Sequence, residues 1–265
     1  MTENSQDNAG ELWHKGLAGR IIAVTGGASG IGRATCLMAA RDGARVIALD
    51  LDEAALALLR DDARKEGLSI LTRSVDVTDA KACEEAADWC KSSAGPVTGL
   101  VCSAGTTHEE PFLKLAPANW ERVIKLNLTG SFLISQVIAR QMVEAGSAGS
   151  IVTISSGAAL AVRPGGAHYN SSKGGVLALT KSMAVELAAH RIRVNCVAPG
   201  SVDTPLQRRV VGAREGGRER SLSRIPLARF GQPGDIGSMI CFLLSDSASW
   251  ITGQTMHVNG GSLLV

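Results

Sequence analysis

Short apolar segments alternate with helical patterns from residue 20 to residue 258, and this alternation constrains the fold more than any other feature of the chain. The apolar segments are nearly continuous runs of Val, Ile and Leu, as parallel strands buried on both faces require. Seven segments are predicted to be strands: 20–25, 45–50, 70–75, 99–104, 150–155, 192–197 and 255–258. The pattern predicts an α/β fold, a doubly wound sheet of about seven mostly parallel strands with helices on both faces.

Helical patterns fill the intervals between these segments, and two of them begin with clear capping residues. Asp52 precedes EAALALLRDDA, and Thr78 with Asp79 precedes KACEEAADWC, so each stretch starts with a side-chain oxygen in capping position. Helices are predicted over residues 30–42, 53–66, 79–93, 118–145, 168–190 and 233–245. Because no linker, low-complexity tract or internal repeat interrupts the alternation, we expect one domain over residues 17–265, preceded by a mobile polar tail at 1–16.

Composition and charge exclude several classes of function. The net charge is +2, which provides no global field toward nucleic acid or an anionic membrane. The apolar runs are well short of the roughly 20 residues that span a bilayer, and the N-terminus lacks a secretory signal. The six cysteines form no CxxC pair and no Cys/His cluster with zinc spacing. We therefore expect a cytoplasmic protein with no metal site and with no nucleic-acid or membrane partner, in which the cysteines are small buried hydrophobic residues.

The first predicted strand ends in a glycine-rich turn, TGGASGIG at residues 25–32, and a helix follows directly. The glycines permit a tight turn and close backbone approach, and the helix N-terminus offers free N–H groups to a pyrophosphate. Asp50, at the end of the second strand, can accept hydrogen bonds from an adenosine ribose and would repel a 2′-phosphate. No Lys or Arg stands at position 29 or 51, so NAD is favoured over NADP. The alternative is that Asp50 is a capping or solvated acid, although Asp52 can fill the capping role.

Six motifs in order resemble those of the short-chain dehydrogenase/reductase family. TGGASGIG matches the family's T-G-x3-G-x-G turn, which is wider than the Rossmann G-x-G-x-x-G, and YNSSK at 169–173 matches its Y-x3-K motif. The asparagine of KLNLTG, the last serine of SIVTISS, the loop APGSVDT and the closing strand ITGQTMHVNGG also match. The resemblance covers about residues 17–262 and implies a single-domain Rossmann-like fold. One departure is CSAG at 102–105 where the family commonly has N-N-A-G, which changes the side chains there but not the backbone path.

Tyr169 and Lys173 lie four residues apart on a predicted helix, and therefore on one face. A neighbouring ammonium and the positive nicotinamide ring of an oxidised cofactor would lower the pKa of Tyr169, which could then exchange a proton with an alcohol or ketone. Ser156, just past a strand end, can donate to the substrate oxygen; Ser155 competes for this role, and the family's 13-residue separation from the tyrosine selects Ser156. The resemblance implies that Lys173 also holds the nicotinamide ribose, and that Asn127 holds a water beside the lysine. Each residue alone has an ordinary structural explanation, such as a surface contact, a turn or a cap, and only their combination points to catalysis.

The resemblance extends the cofactor site to segments after several strands. Asp76 and Val77 resemble the pair that contacts adenine. The backbone at Val202 and the hydroxyl of Thr204 would hold the nicotinamide amide and fix the ring face from which hydride moves. The complete set assigned to cofactor binding is Gly26, Ser29, Gly30, Ile31, Gly32, Asp50, Leu51, Asp76, Val77, Ser103, Ala104, Gly105, Tyr169, Lys173, Pro199, Gly200, Val202 and Thr204.

Residues 205–225 differ from the rest of the chain in composition and resemble the mobile substrate lid of this family. Over residues 208–224, six arginines stand against two glutamates, a local balance of +4. We favour a solvated, partly helical flap; the alternative is that Arg208 or Arg209 grips a carboxylate or phosphate of the substrate. Further candidates for the substrate pocket are His108, Ala158 and His168. We expect His168 at the pocket rim, because its side chain points to a different helix face from Tyr169.

The sequence thus predicts an NAD-dependent oxidoreductase that transfers hydride between a nicotinamide cofactor and a secondary alcohol or ketone, with Tyr169 as general acid/base. Two alternatives stay open: an NADPH-dependent 3-oxoacyl-thioester reductase, and a dinucleotide-binding regulator that has lost catalysis. The resemblance also implies a homotetramer, with the predicted helices 118–145 and 168–190 in one interface and the C-terminal strand in another. Gly174 and Gly175 each cost up to about 1 kcal/mol in a helix relative to alanine, and the hypothesis is that a neighbouring helix approaches closely there.

Overall fold

The chain folds around one parallel sheet, which the computed structural model gives with residues 16–162, 164–212 and 216–264 described. The strand order is β3-β2-β1-β4-β5-β6-β7, and every neighbouring pair is parallel. The strands are β1 (Ile21–Thr25), β2 (Arg45–Asp50), β3 (Ile70–Ser74), β4 (Gly99–Cys102), β5 (Gly149–Ile154), β6 (Ile192–Pro199) and β7 (Thr255–Val258). The predicted doubly wound α/β fold is confirmed. The predicted tail lies outside the described residues except for Gly16.

Helices connect the strands on both faces of the sheet. Those in the described ranges are α1 (Gly30–Arg41), α2 (Glu53–Lys65), α3 (Ala80–Ala94), α4 (Pro117–Ile124), α5 (Gly130–Glu144), α6 (Ala167–Leu187), α7 (Pro205–Gly212), α8 (Gly217–Leu222) and α9 (Pro233–Leu244). Asp52 and Asp79 cap α2 and α3 as predicted, since each side chain accepts a hydrogen bond from a backbone N–H three residues on. None of the described helices has the length and apolar character needed to cross a membrane.

Two predicted helices differ from the structure. The helix predicted over 118–145 is divided into α4 and α5 by a π-helical turn at Lys125–Thr129. The helix predicted over 168–190 is α6 followed by a 3-10 turn at Ala188–His190. A π-helical turn inserts one residue into the helical repeat and leaves apolar periodicity on both sides intact, so the hydrophobic pattern does not reveal it.

Successive strand residues face opposite core layers, as the two-residue repeat of a strand requires. Ile22 and Val24 of β1 pack in the layer that contains α1, α2 and α9, whereas Ala23 packs in the layer that contains α3, α5 and α6. Both layers exclude solvent from β1, so its near-continuous apolar sequence is explained by burial on both faces.

The strand order reverses at β1, which has β2 on one side and β4 on the other. Connections from β1 and β4 therefore leave toward opposite faces and open a crevice beyond the carboxyl ends of the strands. This crevice is where residues from distant parts of the sequence meet.

Candidate active site

A cavity of about 680 Å³ lies beyond the carboxyl ends of the strands, at the reversal of strand order. Its walls come from the turn after β1, the ends of β2 and β6, the loops after β3, β4 and β5, the first turns of α6, and the lid helices α7 and α8. Every residue that the sequence assigned to cofactor binding lines this cavity except Gly32.

The turn after β1 is shaped for close approach to a phosphate group. Gly26 has φ +63°, and a Cβ built on it would lie 2.7 Å from the backbone nitrogen of Ala104. A Cβ on Gly32 would lie 2.1 Å from the carbonyl oxygen of Gly26, so this glycine closes the turn from beneath and does not reach the cavity. Helix α1 begins at Gly30, and its first two residues, Gly30 and Ile31, line the cavity. The turn therefore fits the pyrophosphate of a dinucleotide.

Asp50 closes β2 and faces the same cavity. Its Oδ2 accepts a hydrogen bond of 3.0 Å from the backbone N–H of Ala28, and its Oδ1 accepts one of 3.2 Å from that of Asp52. Asp52, not Asp50, caps α2 through the N–H of Ala55. Asp50 thus places a carboxylate in the cavity wall at the end of β2, where an acid can accept hydrogen bonds from an adenosine ribose, and the exposed Leu51 lies beside it.

Tyr169 and Lys173 lie on one face of α6, with Lys173 Nζ 5.8 Å from the centre of the phenol ring. The ammonium is almost fully buried and donates a 2.8 Å hydrogen bond to the carbonyl oxygen of Ile154 at the end of β5. Burial lowers the pKa of Lys173 to about 8. Burial also raises the pKa of Tyr169, and a hydrogen bond with Ser156 offsets part of that rise. In the protein alone, desolvation outweighs this hydrogen bond, so the pKa of the phenol is raised.

The two candidate serines differ in what their hydroxyl groups contact. The hydroxyl of Ser155 is buried and donates a 2.8 Å hydrogen bond to the backbone carbonyl of Lys173, which ties β5 to α6. The hydroxyl of Ser156 contacts the phenol of Tyr169 and accepts a 3.1 Å hydrogen bond from the N–H of Ala158. Ser156 is therefore the serine with its hydroxyl at the tyrosine, and it keeps a proton to donate to a substrate oxygen.

Asn127 lies in the π-helical turn, behind the cavity wall and with no solvent exposure. Its amide accepts a 2.8 Å hydrogen bond from the N–H of Thr106, and donates 3.0 Å hydrogen bonds to the Thr106 carbonyl and to the hydroxyl of Ser172. A Cβ built on Gly105 would lie 3.2 Å from the Asn127 amide oxygen and 3.6 Å from Lys173 Nζ, so both side chains converge on this glycine. The π-helical turn thus fixes an amide beside the lysine, consistent with the frequent occurrence of such turns at functional sites.

Comparison with known proteins extends the match over nearly the whole chain. A family model described as enoyl-(acyl carrier protein) reductase matches residues 26–262. The 3-oxoacyl-[acyl-carrier-protein] reductase FabG of Thermotoga maritima is 39% identical over 94% of this chain and 99% of its own length. The human (3R)-3-hydroxyacyl-CoA dehydrogenase is 36% identical over 92% of this chain and 96% of its own length.

Solved structures agree with the sequence matches. The crystal structure of gox2181 has a TM-score of 0.89 and 35% identity over 94% of this chain and 97% of that chain. A short-chain type dehydrogenase/reductase from Mycobacterium marinum has a TM-score of 0.89 and 32% identity over 94% of this chain and 98% of that chain. The chain belongs to the short-chain dehydrogenase/reductase family. It is an oxidoreductase, and the two curated relatives above are named for reactions of 3-oxoacyl and 3-hydroxyacyl groups.

The departure from the family's N-N-A-G pattern is accommodated by the core. The Cys102 thiol is buried, with Sγ 3.3 Å from the hydroxyl of Ser135 on α5, so the side chain braces β4 from the face away from the cavity. The backbone continues as in the family: the N–H of Ala104 donates to the Thr25 hydroxyl at 3.3 Å, and Ser103, Ala104 and Gly105 line the cavity.

Of the predicted pocket residues, His108 and Ala158 line the cavity, but His168 does not. His168 is wholly buried instead of lying at the pocket rim. Its ring packs edge-on against His108 with centroids 4.4 Å apart, and its Nε2 lies 3.3 Å from both ring nitrogens of His108. His108 is held in turn by Glu110 and Arg122. This pair joins the loop after β4 to the start of α6, across 60 residues of sequence, and no local pattern signals such a contact.

The arginines nearest the cavity are not those that the sequence singled out. Arg208 forms a 2.7 Å ion pair with Asp203, and neither Arg208 nor Arg209 lines the cavity. Arg220 and Arg224 line it instead. Arg220 lies in α8 and Arg224 lies two residues beyond its end, so helical spacing in the sequence does not bring the two together. Ser262 and Leu263, beyond the last strand, also line the cavity, and no sequence pattern pointed to them.

Proposed function

We propose that this chain is an NAD-dependent dehydrogenase or ketoreductase that transfers a hydride between a nicotinamide cofactor and a secondary alcohol or ketone. The observation that carries the proposal is one cavity that contains Ser156, Tyr169 and Lys173 together with the glycine turn and Asp50. Because the proton-transfer residues and the dinucleotide-binding turn share one cavity, a substrate bound beside Tyr169 could react with the nicotinamide of a bound cofactor.

The cofactor, when bound, supplies or accepts the hydride, and the chain's own residues manage the proton. In reduction, Tyr169 donates its hydroxyl proton to the carbonyl oxygen, and Ser156 donates a hydrogen bond to the same oxygen as negative charge develops there. In oxidation, the Tyr169 oxygen accepts the alcohol proton. Lys173 supplies a positive charge that favours the phenolate, and its hydrogen bond to Ile154 keeps the ammonium in place.

The position of Asp50 supports NAD as the cofactor. Its carboxylate lines the cavity at the end of β2 with Leu51 beside it, and neither residue offers positive charge to a 2′-phosphate. Initial rates with NADH and NADPH at equal concentrations test this directly. Faster turnover with NADPH across all carbonyl substrates would overturn the cofactor assignment.

A 3-oxoacyl-thioester reductase is the second candidate. The names of the two curated relatives favour it, since both denote reactions at the third carbon of an acyl thioester. Such substrates are themselves ketone/secondary-alcohol pairs, so the same proton transfer by Tyr169 serves both candidates. Rates with acetoacetyl-coenzyme A and with simple ketones distinguish them, and preference for NADPH on the thioester would favour the second candidate.

The decisive experiment for catalysis is Tyr169→Phe. The variant keeps the ring and loses the hydroxyl proton, so we expect NADH binding, measured by quenching of protein fluorescence, to persist. Turnover should fall by about a hundred- to ten-thousandfold, the usual contribution of a general acid or base. His190→Gln is a suitable control, because His190 lies in the 3-10 turn beyond the far end of α6. A wild-type protein that binds NADH but converts no member of a broad alcohol and ketone panel would favour a dinucleotide-binding regulator.

We propose that the protein is a cytoplasmic enzyme that assembles as a homotetramer. Large exposed apolar side chains support this assembly: Trp120 and Phe132 on α4 and α5, and Trp250 and Leu264 flanking β7, where Trp250 is 99% exposed. Isolated exposed apolar residues are ordinary, but these two groups fall on the two expected interfaces. Size-exclusion chromatography with light scattering at low micromolar concentration should give four times the 27.5 kDa chain mass. A monomer would contradict the assembly.

A further inference from the structure

The described arginines of the lid, residues 205–225, differ in their contacts and in whether they line the cavity. Arg208 is paired with Asp203, and the guanidinium of Arg218 stacks on the ring of Phe230 at 4.7 Å. Both of these side chains have contacts that explain their position. Two other lid arginines, Arg220 and Arg224, line the cavity.

Arg220 and Arg224 flank Ser221 on the lid wall of the cavity, and all three residues line it. Both arginine side chains are exposed. The Arg224 guanidinium has no hydrogen-bond or ion-pair partner within the part of the chain that the structure describes. An arginine presents a planar fork of N–H donors that matches a carboxylate or phosphate in two-point contact.

Two acids of the cavity lie at the opposite end of the strand order from the lid. Asp50 and Asp76 follow β2 and β3, whereas the lid follows β6. In the sheet order, β2 is four strands and β3 five strands from β6. Glu109 is the one acidic residue that lines the cavity on the loop after β4, against two arginines on the lid.

Apolar side chains line the same cavity as these arginines. Leu206 and Val210 on α7 line the cavity, as does Leu263 from the C-terminal segment. Leu263 also reaches the loop beyond Ser156, since a Cβ on Gly157 would lie 3.6 Å from its Cδ2. The cavity therefore offers, in one continuous space, proton-transfer groups, an apolar wall and positive charge.

We propose that Arg220 and Arg224 form an anion-binding site that selects substrates with a carboxylate or phosphate separated from the reacting carbonyl by a short apolar spacer. The position of the reacting carbonyl rests on the proposed function, whereas the anion site itself does not. Arg220 and Arg224 would engage the anion in bidentate hydrogen bonds, and the apolar wall would cover the spacer. The carboxylate of an oxo acid and the phosphates of an acyl-coenzyme A share this chemistry.

Two matched substrate pairs test the proposal and separate these sources of the anion. The first pair is 4-oxopentanoate and its methyl ester; the second is acetoacetyl-coenzyme A and the neutral acetoacetyl thioester of N-acetylcysteamine. For each pair the readout is the ratio of kcat/KM for the anionic substrate to that for the neutral one, which cancels general damage to the lid. We expect Arg224→Gln to lower this ratio about tenfold in at least one pair, equivalent to about 1.4 kcal/mol. The double variant with Arg220→Gln should lower it further.

Arg209→Gln is the matched control, because Arg209 carries the same charge in the same lid and does not line the cavity. It should leave both ratios unchanged. Equal ratios in wild type and in the double variant would overturn the proposal, as would an equal loss in Arg209→Gln.

A binding measurement keeps the test independent of turnover. Calorimetric titration of 4-oxopentanoate into the NAD⁺-saturated protein produces no reaction, because both partners are already oxidised. Tighter binding of the acid than of its methyl ester, lost in the double variant, supports the anion site even if no substrate is turned over. Equal binding of acid and ester, with no response of the coenzyme A pair, refutes it while leaving the proposed hydride transfer intact.

Discussion

Binding of NAD⁺ should lower the pH at which the single tyrosine of this chain ionises. In the protein alone, burial raises the pKa of Tyr169 above its ordinary value of 10. Burial also lowers the pKa of Lys173 to about 8, so an alkaline titration removes the ammonium before the phenol ionises. The lysine's charge is then absent when the tyrosine titrates, and we expect a midpoint above 10.

The size of the expected change follows from the separation of the charges. A unit positive charge 5.8 Å away, the distance from Lys173 Nζ to the ring centre, stabilises a phenolate by about 0.7 kcal/mol in water and about 3 kcal/mol at an effective dielectric constant near 20. This lowers the pKa of the phenol by about 0.5 to 2. The nicotinamide ring of NAD⁺ carries a charge that does not titrate, so its contribution persists at every pH. At pH 8 about half of Lys173 is still charged, because its pKa is about 8, and this fraction adds to the stabilisation of the phenolate.

Ultraviolet difference absorbance near 295 nm follows this ionisation without ambiguity, because the chain has one tyrosine and its four tryptophans do not ionise. We expect a midpoint above 10 for the protein alone and below 9 with saturating NAD⁺. Lys173→Met should leave the first midpoint nearly unchanged and raise the second by about 0.5 to 2. A midpoint of 10 or above in the NAD⁺-saturated protein would refute Tyr169 as the base at neutral pH.

Three further predictions concern packing, acid stability and cofactor choice. Gly175→Leu should lower the free energy of unfolding by about 1 to 3 kcal/mol in urea titrations, because a Cβ there already lies 2.6 Å from Leu128 Cδ2; Gly174→Ala, with no atom within 4 Å, should not destabilise the fold. Burial, and to a smaller extent the His108 imidazole, lower the pKa of His168 from 6.5, so its contribution to the free energy of unfolding is retained above pH 6.5 and lost as the pH falls below it. His168→Gln should reduce this pH dependence of stability, and an unchanged pH dependence would contradict the role given to His168. Asp50→Asn should raise kcat/KM for NADPH relative to NADH at least about fivefold, since like charges about 4 Å apart repel by about 1 to 4 kcal/mol. An unchanged ratio would remove Asp50 from cofactor selection.

The sheet was predictable because its signals are local. Each buried strand is a short run of Val, Ile and Leu, and burial on both faces makes that run visible without reference to the rest of the chain. Asp52 and Asp79 mark helix starts through hydrogen bonds to groups only three residues away. The π-helical turn at Lys125–Thr129 was not predictable, because it extends one turn without changing the apolar pattern around it.

The site was predictable only where a motif fixes residues to one element. Tyr169 and Lys173 share α6, so four residues of spacing suffice to bring them together. The environment of His168 was not predictable in this way. Its position on the helix indicates which way the side chain points, but its burial depends on His108, which lies in a loop 60 residues away in the sequence. Which lid arginines line the cavity was not predictable for a similar reason, since their access to the cavity depends on where α7 ends and α8 begins.

Backbone groups, more than side chains, explain why the catalytic residues hold their positions. Lys173 Nζ is oriented by the carbonyl of Ile154, and Asn127 is oriented by the N–H and carbonyl of Thr106. The Ser155 hydroxyl returns a hydrogen bond to the carbonyl of Lys173. Because main-chain groups exist at every position, a substitution at Ile154 or Thr106 preserves these anchors provided that β5 and the loop after β4 keep their paths. The side chains of the motif residues themselves must therefore be of one type, whereas the residues that hold them through backbone groups need only keep the same backbone path. This explains how CSAG can replace the family's usual N-N-A-G pattern.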